Sequence, residues 1–73
     1  MTDINKNLNN LTGGKLVTFS FSDNITNGPY TTSAGTVICF GTAFVHQIFF
    51  DYNSGNVSVR TMYSGNWSTW KSL

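Results

Sequence analysis

This chain has few of the groups that carry out chemistry. Its 73 residues include one cysteine, one histidine, three acidic residues and no glutamate, against four Lys and Arg, for a formal net charge of +1. The single Cys39 cannot close an intrachain disulfide, and one His46 among three scattered aspartates, Asp3, Asp23 and Asp51, makes no cluster with metal-ligand spacing. The same shortage leaves too few partners for an acid/base constellation, so an enzyme is not expected, and neither is a cofactor or a metal. Lys6, Lys15, Arg60 and Lys71 form no basic stripe, which argues against a nucleic-acid partner. No apolar run approaches the roughly 20 residues of a membrane span. The opening "MTDINKNLNN" lacks the cationic start and apolar run of a secretory signal, so a soluble protein not exported by its own sequence is expected. The sequons at Asn10, Asn24, Asn56 and Asn66 are read as chance matches in a chain rich in Asn, Ser and Thr.

Size sets a further limit. A domain of about this length buries only about 60% of the surface its unfolded chain exposes, so its core is marginal and support from self-association or a host assembly is expected. A nearly neutral surface, polar through Asn, Ser and Thr, puts little repulsion between copies.

What the chain does have is strand patterning. We read one domain, residues 1–73, with an N-terminal segment (1–14) and a β-rich body (15–73). In "KLVTFSFS" (15–22), Val17, Phe19 and Phe21 alternate with Thr18, Ser20 and Ser22. "DNITNGPY" (23–30) is a loop marked by Asn-Gly-Pro. Val37, Ile38, Cys39 and Phe40 are apolar on both faces, and Gly41 and Thr42 mark a tight turn or a bulge. From about Ala43 to Tyr52, Val45, Gln47 and Phe49 share one face, with His46, Ile48 and Phe50 on the other. "NSGN" (53–56) turns the chain, and "VSVRTMY" (57–63) places Val57, Val59, Thr61 and Tyr63 opposite Ser58, Arg60 and Met62. Ile4, Leu8 and Leu11 fall at helical spacing behind a Thr2 or Asp3 cap, but about two turns of Asn-rich sequence cannot hold a helix alone. That segment either lies on the sheet or forms a three-fold seam between copies. The expected fold is all-β: a small antiparallel β-sandwich or compact barrel with a short N-terminal irregular or helical segment.

Both tryptophans, Trp67 and Trp70, fall in the last seven residues, "NWSTWKSL" without its first. Two readings stay open: large indoles closing a core short of apolar area, or an aromatic platform among Asn, Ser and Thr that binds an uncharged sugar. Their i, i+3 spacing does not put both on one strand face, so a turn is needed to bring them to one surface. Arg60 could stack on an indole, and Gln47, across the same hairpin, could bond Arg60 or a loop carbonyl; alternatively both line a polar pocket. Trp67, Arg60 and Gln47 are therefore the glycan-binding candidates. Trp70, Leu73, Phe19, Phe21, Phe40 and Phe49 are the candidates for core or interface, with Trp67 expected to be partly exposed beside Arg60. If both tryptophans are core, the binding surface moves to the loop around Asn24 to Tyr30. His46 is read as a hydrogen-bonded, partly exposed imidazole and Cys39 as a small buried hydrophobe.

The order "DINKNLNNLTG", Pro29 in a loop, Gly35 opening an apolar strand, Gln47, "VSVRT" and "WSTWKSL" resembles the pyocin-knob family over nearly the whole chain. These are small domains of R-type pyocin tail fibres and of the fibres and appendages of bacteriophages. The sharpest element is Arg60, then Trp67 and Trp70 as Trp-x-x-Trp, then Leu73; where family members usually have Gly-x-Tyr at the first strand, "GGKLVTF" has Phe19. The resemblance implies a homotrimeric fibre tip or appendage in the virion, in contact with other virion or fibre proteins, that recognises a bacterial surface polysaccharide. It implies equally a structural or decoration protein that caps or spaces a fibre.

Overall fold

The structure is a computed structural model that describes residues 7–20, 25–29 and 34–73. A 3-10 turn, Leu8–Asn10, precedes six strands: β1 Lys15–Phe19, β2 Gly35–Phe40, β3 Phe44–Asp51, β4 Val57–Tyr63, β5 Asn66–Trp67 and β6 Lys71–Ser72. All pair antiparallel in one sheet of order β1-β2-β3-β4, with β5 and β6 both on the free edge of β4. The fold is thus all-β, as the alternating segments predict.

Among the described residues the second layer is irregular chain and not the second sheet of a sandwich. Leu8 and Leu11 from the N-terminal segment, and Ile25 from the loop after β1, lie buried against Val17, Phe19, Val37, Cys39, Val45 and Phe49 of the strands. Two layers still meet around one apolar core, but one of them is irregular chain. Residues 7–14 therefore lie on the sheet: Leu8 and Leu11 are fully buried within the chain and do not form a seam between copies. Its helical potential is reduced to one 3-10 turn capped by Asn7, whose side chain accepts from the Asn9 amide at 3.0 Å and from Asn27 Nδ2 at 2.7 Å. The expected caps Thr2 and Asp3, with Ile4, lie outside the described residues, as does the core candidate Phe21. The loop Ile25–Pro29 is held to the turn by a parallel bridge between Asn7 and Thr26 and by the Leu8 amide donating to Thr26 at 3.0 Å.

The hairpins match their turn residues. After β2, Gly41 takes φ 112°, and a Cβ there would lie 1.9 Å from the Phe44 carbonyl oxygen, so glycine is required for the tight turn. After β4, Ser64 and Gly65 both take positive φ, as the two central residues of a primed hairpin turn do. Asn66 follows this turn directly and begins β5. Asp51 caps the β3–β4 turn, its carboxylate accepting from the Ser54 amide at 2.8 Å.

Strand alternation makes two distinct faces. Across the inner face, Cys39, Gln47 and Arg60 stand side by side; across the outer face, Leu16, Ile38, Ile48 and Val59 do so. Phe40 belongs to the outer face, 44% exposed, and Leu73 at the C-terminus is 86% exposed, so neither is in the core. Phe40 leaves the core because strand parity puts it with Ile38, on the face that residues 7–14 do not cover. Leu73 follows Ser72, its amide donating to the Val57 carbonyl at 2.8 Å, so that it stands opposite Val57 and away from the inner face.

Candidate functional site

The residues singled out in sequence converge at the C-terminal end of the inner face. Gln47 on β3 is the register partner of Arg60 on β4. Gln47 Oε1 accepts from Arg60 Nε at 2.8 Å, and Gln47 Nε2 donates to the carbonyls of Leu8 at 2.7 Å and Leu11 at 2.9 Å. The Cys39 thiol also donates to the Leu11 carbonyl, at 3.3 Å. Gln47 is wholly buried and Arg60 is 6% exposed. A non-repetitive segment packed on a sheet brings backbone carbonyls with it, and buried carbonyls need donors. Gln47 supplies both of its donors to that need, while its oxygen fixes the guanidinium.

The tryptophans close over Arg60. Its guanidinium carbon lies 3.9 Å from the Trp67 ring centroid and 4.6 Å from that of Trp70. The turn that the i, i+3 spacing requires is a one-residue bulge. Trp67 pairs with Met62 and Lys71 with Val59, so four residue steps on the edge strand match three on β4. The extra residue reverses the strand parity and puts both indoles on the inner face. Ser68 holds the bulge: its amide donates to the Thr61 carbonyl at 2.7 Å, and its Oγ accepts from the Thr61 amide at 3.0 Å. Trp70 packs edge-on to Phe49, with centroids 6.2 Å apart, and donates its Nε1–H to the Asn27 carbonyl at 3.0 Å. It ties the C-terminus to both the core and the loop. Trp67 is half-buried beside exposed Asn66, Ser68 and Thr69.

Burial lowers the pKa of Arg60 to about 10, which leaves it charged at neutral pH. The two indole faces act in the opposite sense, since a ring quadrupole favours the cation. Arg60 Nη2 is buried with no hydrogen-bond partner among the described residues, so the π faces are its main compensation. Burial likewise pushes the Cys39 thiol up, away from reactivity.

The sequence candidates thus separate. Gln47 and Arg60 are internal and mutually bonded, and so are not displayed to a ligand. Trp67 is the one glycan candidate with exposed surface. Phe19 and Phe49 are core, and Trp70 is half-buried against it. The loop alternative is described only at residues 25–29, where Ile25 is buried and Asn27 receives Trp70. His46 is half-buried on the outer face, stacked on Phe40 at 5.1 Å with Nδ1 3.3 Å from Thr61 Oγ1. Among the described residues no group of three His, Cys, Asp or Glu could hold a metal ion, and no helix is long and apolar enough to cross a membrane.

Sequence reasoning missed a second aromatic group. Phe44 and Tyr63, opposite each other on β3 and β4, stack at 4.9 Å on the outer face and are 55% and 61% exposed. Alternation in the two strands and the hairpin register were the signals that could have found it. Comparison of the chain with protein-family models, with curated proteins and with solved structures gives no match.

Proposed function

We propose that this chain is a non-enzymatic attachment domain of a bacteriophage or tailocin tail fibre, or of a comparable virion appendage, that works as a homotrimer and binds a bacterial surface glycan through Trp67. The observation that carries the reading is the anchored indole. One part of Trp67 rests on a buried guanidinium, and its exposed remainder lies among the amide and hydroxyl groups of Asn66, Ser68 and Thr69. A rigid aromatic surface with neutral hydrogen-bonding neighbours suits stacking on a sugar ring, and rigidity lowers the ordering cost of binding. Arg60 and Gln47 serve here as supports of the platform.

A second reading, a structural or decoration protein that caps or spaces a fibre, is favoured by a different observation: the broad apolar outer face, which suits burial in an assembly. Binding of the native protein to host cells and to a glycan array separates the two. The first reading expects binding that Trp67→Ala removes while its far-UV circular dichroism stays native. Wild-type protein that binds no cells or glycans, with indole fluorescence unmoved by any sugar, would leave only the structural reading.

A further inference from the structure

We infer that the outer face of the sheet is a self-association surface that seats another copy of this chain. The inference locates the contact that the trimeric part of the proposed function requires, and it is independent of the glycan part. Its ground is the face itself, which no other described residue covers. Leu16, Ile38, Ile48 and Val59 form one unbroken cross-strand row over β1 to β4. Beside that row stand Phe50, and the stacked pairs Phe40–His46 and Phe44–Tyr63. Leu16, Phe40, Phe44, Phe50 and Tyr63 are between 41% and 69% exposed, far more apolar area in one patch than scattered surface residues give.

The occupant follows from charge and size. A surface that meets its own copy brings like charges together unless both signs are interleaved, so a face free of charge meets its copy without repulsion. On this face the strands β1 to β4 present no Asp, Glu, Lys or Arg, and Lys71 on the outermost strand stands at the rim. A partner of opposite charge would find nothing to pair with. The molecule measures 31 × 28 × 17 Å, and its broad side is of the order of the roughly 800 Å² per partner that specific complexes bury. Three such sheets set around a common axis cover each other's row, and the core that a chain this short cannot enlarge alone is completed between copies.

The test combines sedimentation with hydroxyl-radical footprinting of the full chain. Wild type is expected to sediment as a multimer, and raising its concentration should protect Phe40, Phe44 and Tyr63 from oxidation. Ile48→Lys, central in the row, and Leu16→Lys, at a site exposed enough to tolerate lysine in the monomer, are each expected to weaken association by roughly tenfold or more. Wild type that stays monomeric at about 100 µM, well above a micromolar dissociation constant, overturns the inference. So does a multimer whose outer-face rings are oxidised equally at high and low concentration, or whose association Leu16→Lys and Ile48→Lys leave unchanged. Footprinting needs no variant, so misfolding of Ile48→Lys does not decide the outcome. Multimer protection without any glycan binding would retain this contact and remove the glycan part alone.

Discussion

Gln47 and Ile48 are neighbours in β3 and opposites in surroundings. The amide side chain is wholly buried, hydrogen-bonded to Arg60, Leu8 and Leu11, whereas the isoleucine is half-buried on the side that no part of the described chain covers. Across the sheet the contrast extends to whole rows, Cys39–Gln47–Arg60 inside and Leu16–Ile38–Ile48–Val59 outside. Hydrophobicity alone would place the second row inward. What decides is the covering layer: irregular chain carries onto the sheet carbonyls that its own amides only partly satisfy, so the face that receives it must offer donors as well as apolar area. The fold is made by the face that can satisfy the backbone, and the more apolar face is left for contacts beyond the chain.

The largest difference between the faces should appear at Phe49 and Phe50. Phe49→Ala opens a cavity in the core and is expected to cost about 3–5 kcal/mol, while Phe50→Ala, already 41% exposed, should cost about 1 kcal/mol in the monomer. Urea unfolding at low protein concentration measures both, and equal losses would mean that the two faces are equally core. Arg60→Ala should lose roughly 3–4 kcal/mol by the same assay, because it leaves Gln47 Oε1 without its partner and two indoles without their cation. Trp70→Ala, which removes the edge contact to Phe49 and the bond to Asn27, should cost about 2–3 kcal/mol. For Trp67→Ala about 1–2 kcal/mol is expected, since its main support is the stack on Arg60. A larger loss for Trp67 than for Trp70 would reverse their assigned roles.

Much of this was legible in the sequence because strand parity is strict. The alternation in residues 45–50 and 57–63 places side chains on their correct faces and sets Gln47 and Arg60 on one face of the hairpin, but the loop lies one residue earlier than "NSGN", at 52–55, and that shift is what brings Gln47 directly opposite Arg60. The requirement that a turn bring Trp67 and Trp70 to one surface is met by the bulge at residues 68–70. Which face would be inside was not legible. Phe40 and Phe49 look alike as core candidates, yet they stand on opposite faces, and only the seating of the N-terminal segment distinguishes them. Leu73 reads as an apolar anchor, but the edge-strand register sets it opposite Val57 rather than on the inner face. The Phe44–Tyr63 stack follows from the same β3–β4 register as Gln47 and Arg60, and a loop placed one residue late shifts that register by two residues and hides the pair.

A smaller effect sharpens the electrostatic side of the comparison. Burial brings the pKa of Arg60 from the ordinary arginine value to about 10. Between those two values the unfolded chain holds a proton that the folded chain has released, so stability rises with pH there. Below about pH 10 both states are protonated and Arg60 contributes no slope. The stability difference between wild type and Arg60→Met, which cancels the titration of Lys and Tyr common to both, should be flat from about pH 5 to 9 and then shift toward wild type. A shift toward the variant would mean that the indoles outweigh burial and hold the cation more firmly than water does.

The central claim is that the polar inner row makes the fold and the apolar outer row does not. Unfolding free energies of Gln47→Leu and Ile48→Lys, measured side by side at a concentration where the chain is monomeric, test it most directly. Gln47→Leu should lose about 2–4 kcal/mol despite adding an apolar side chain to the interior, because the Arg60 guanidinium loses its hydrogen-bond partner and the Leu8 and Leu11 carbonyls lose their shorter donor, keeping only the Leu11 amide at 3.2 Å and the Cys39 thiol at 3.3 Å. Ile48→Lys should lose about 1 kcal/mol, its charge reaching water from the open face. The opposite order, with Gln47→Leu neutral or stabilising and Ile48→Lys unfolding the monomer, would contradict the account.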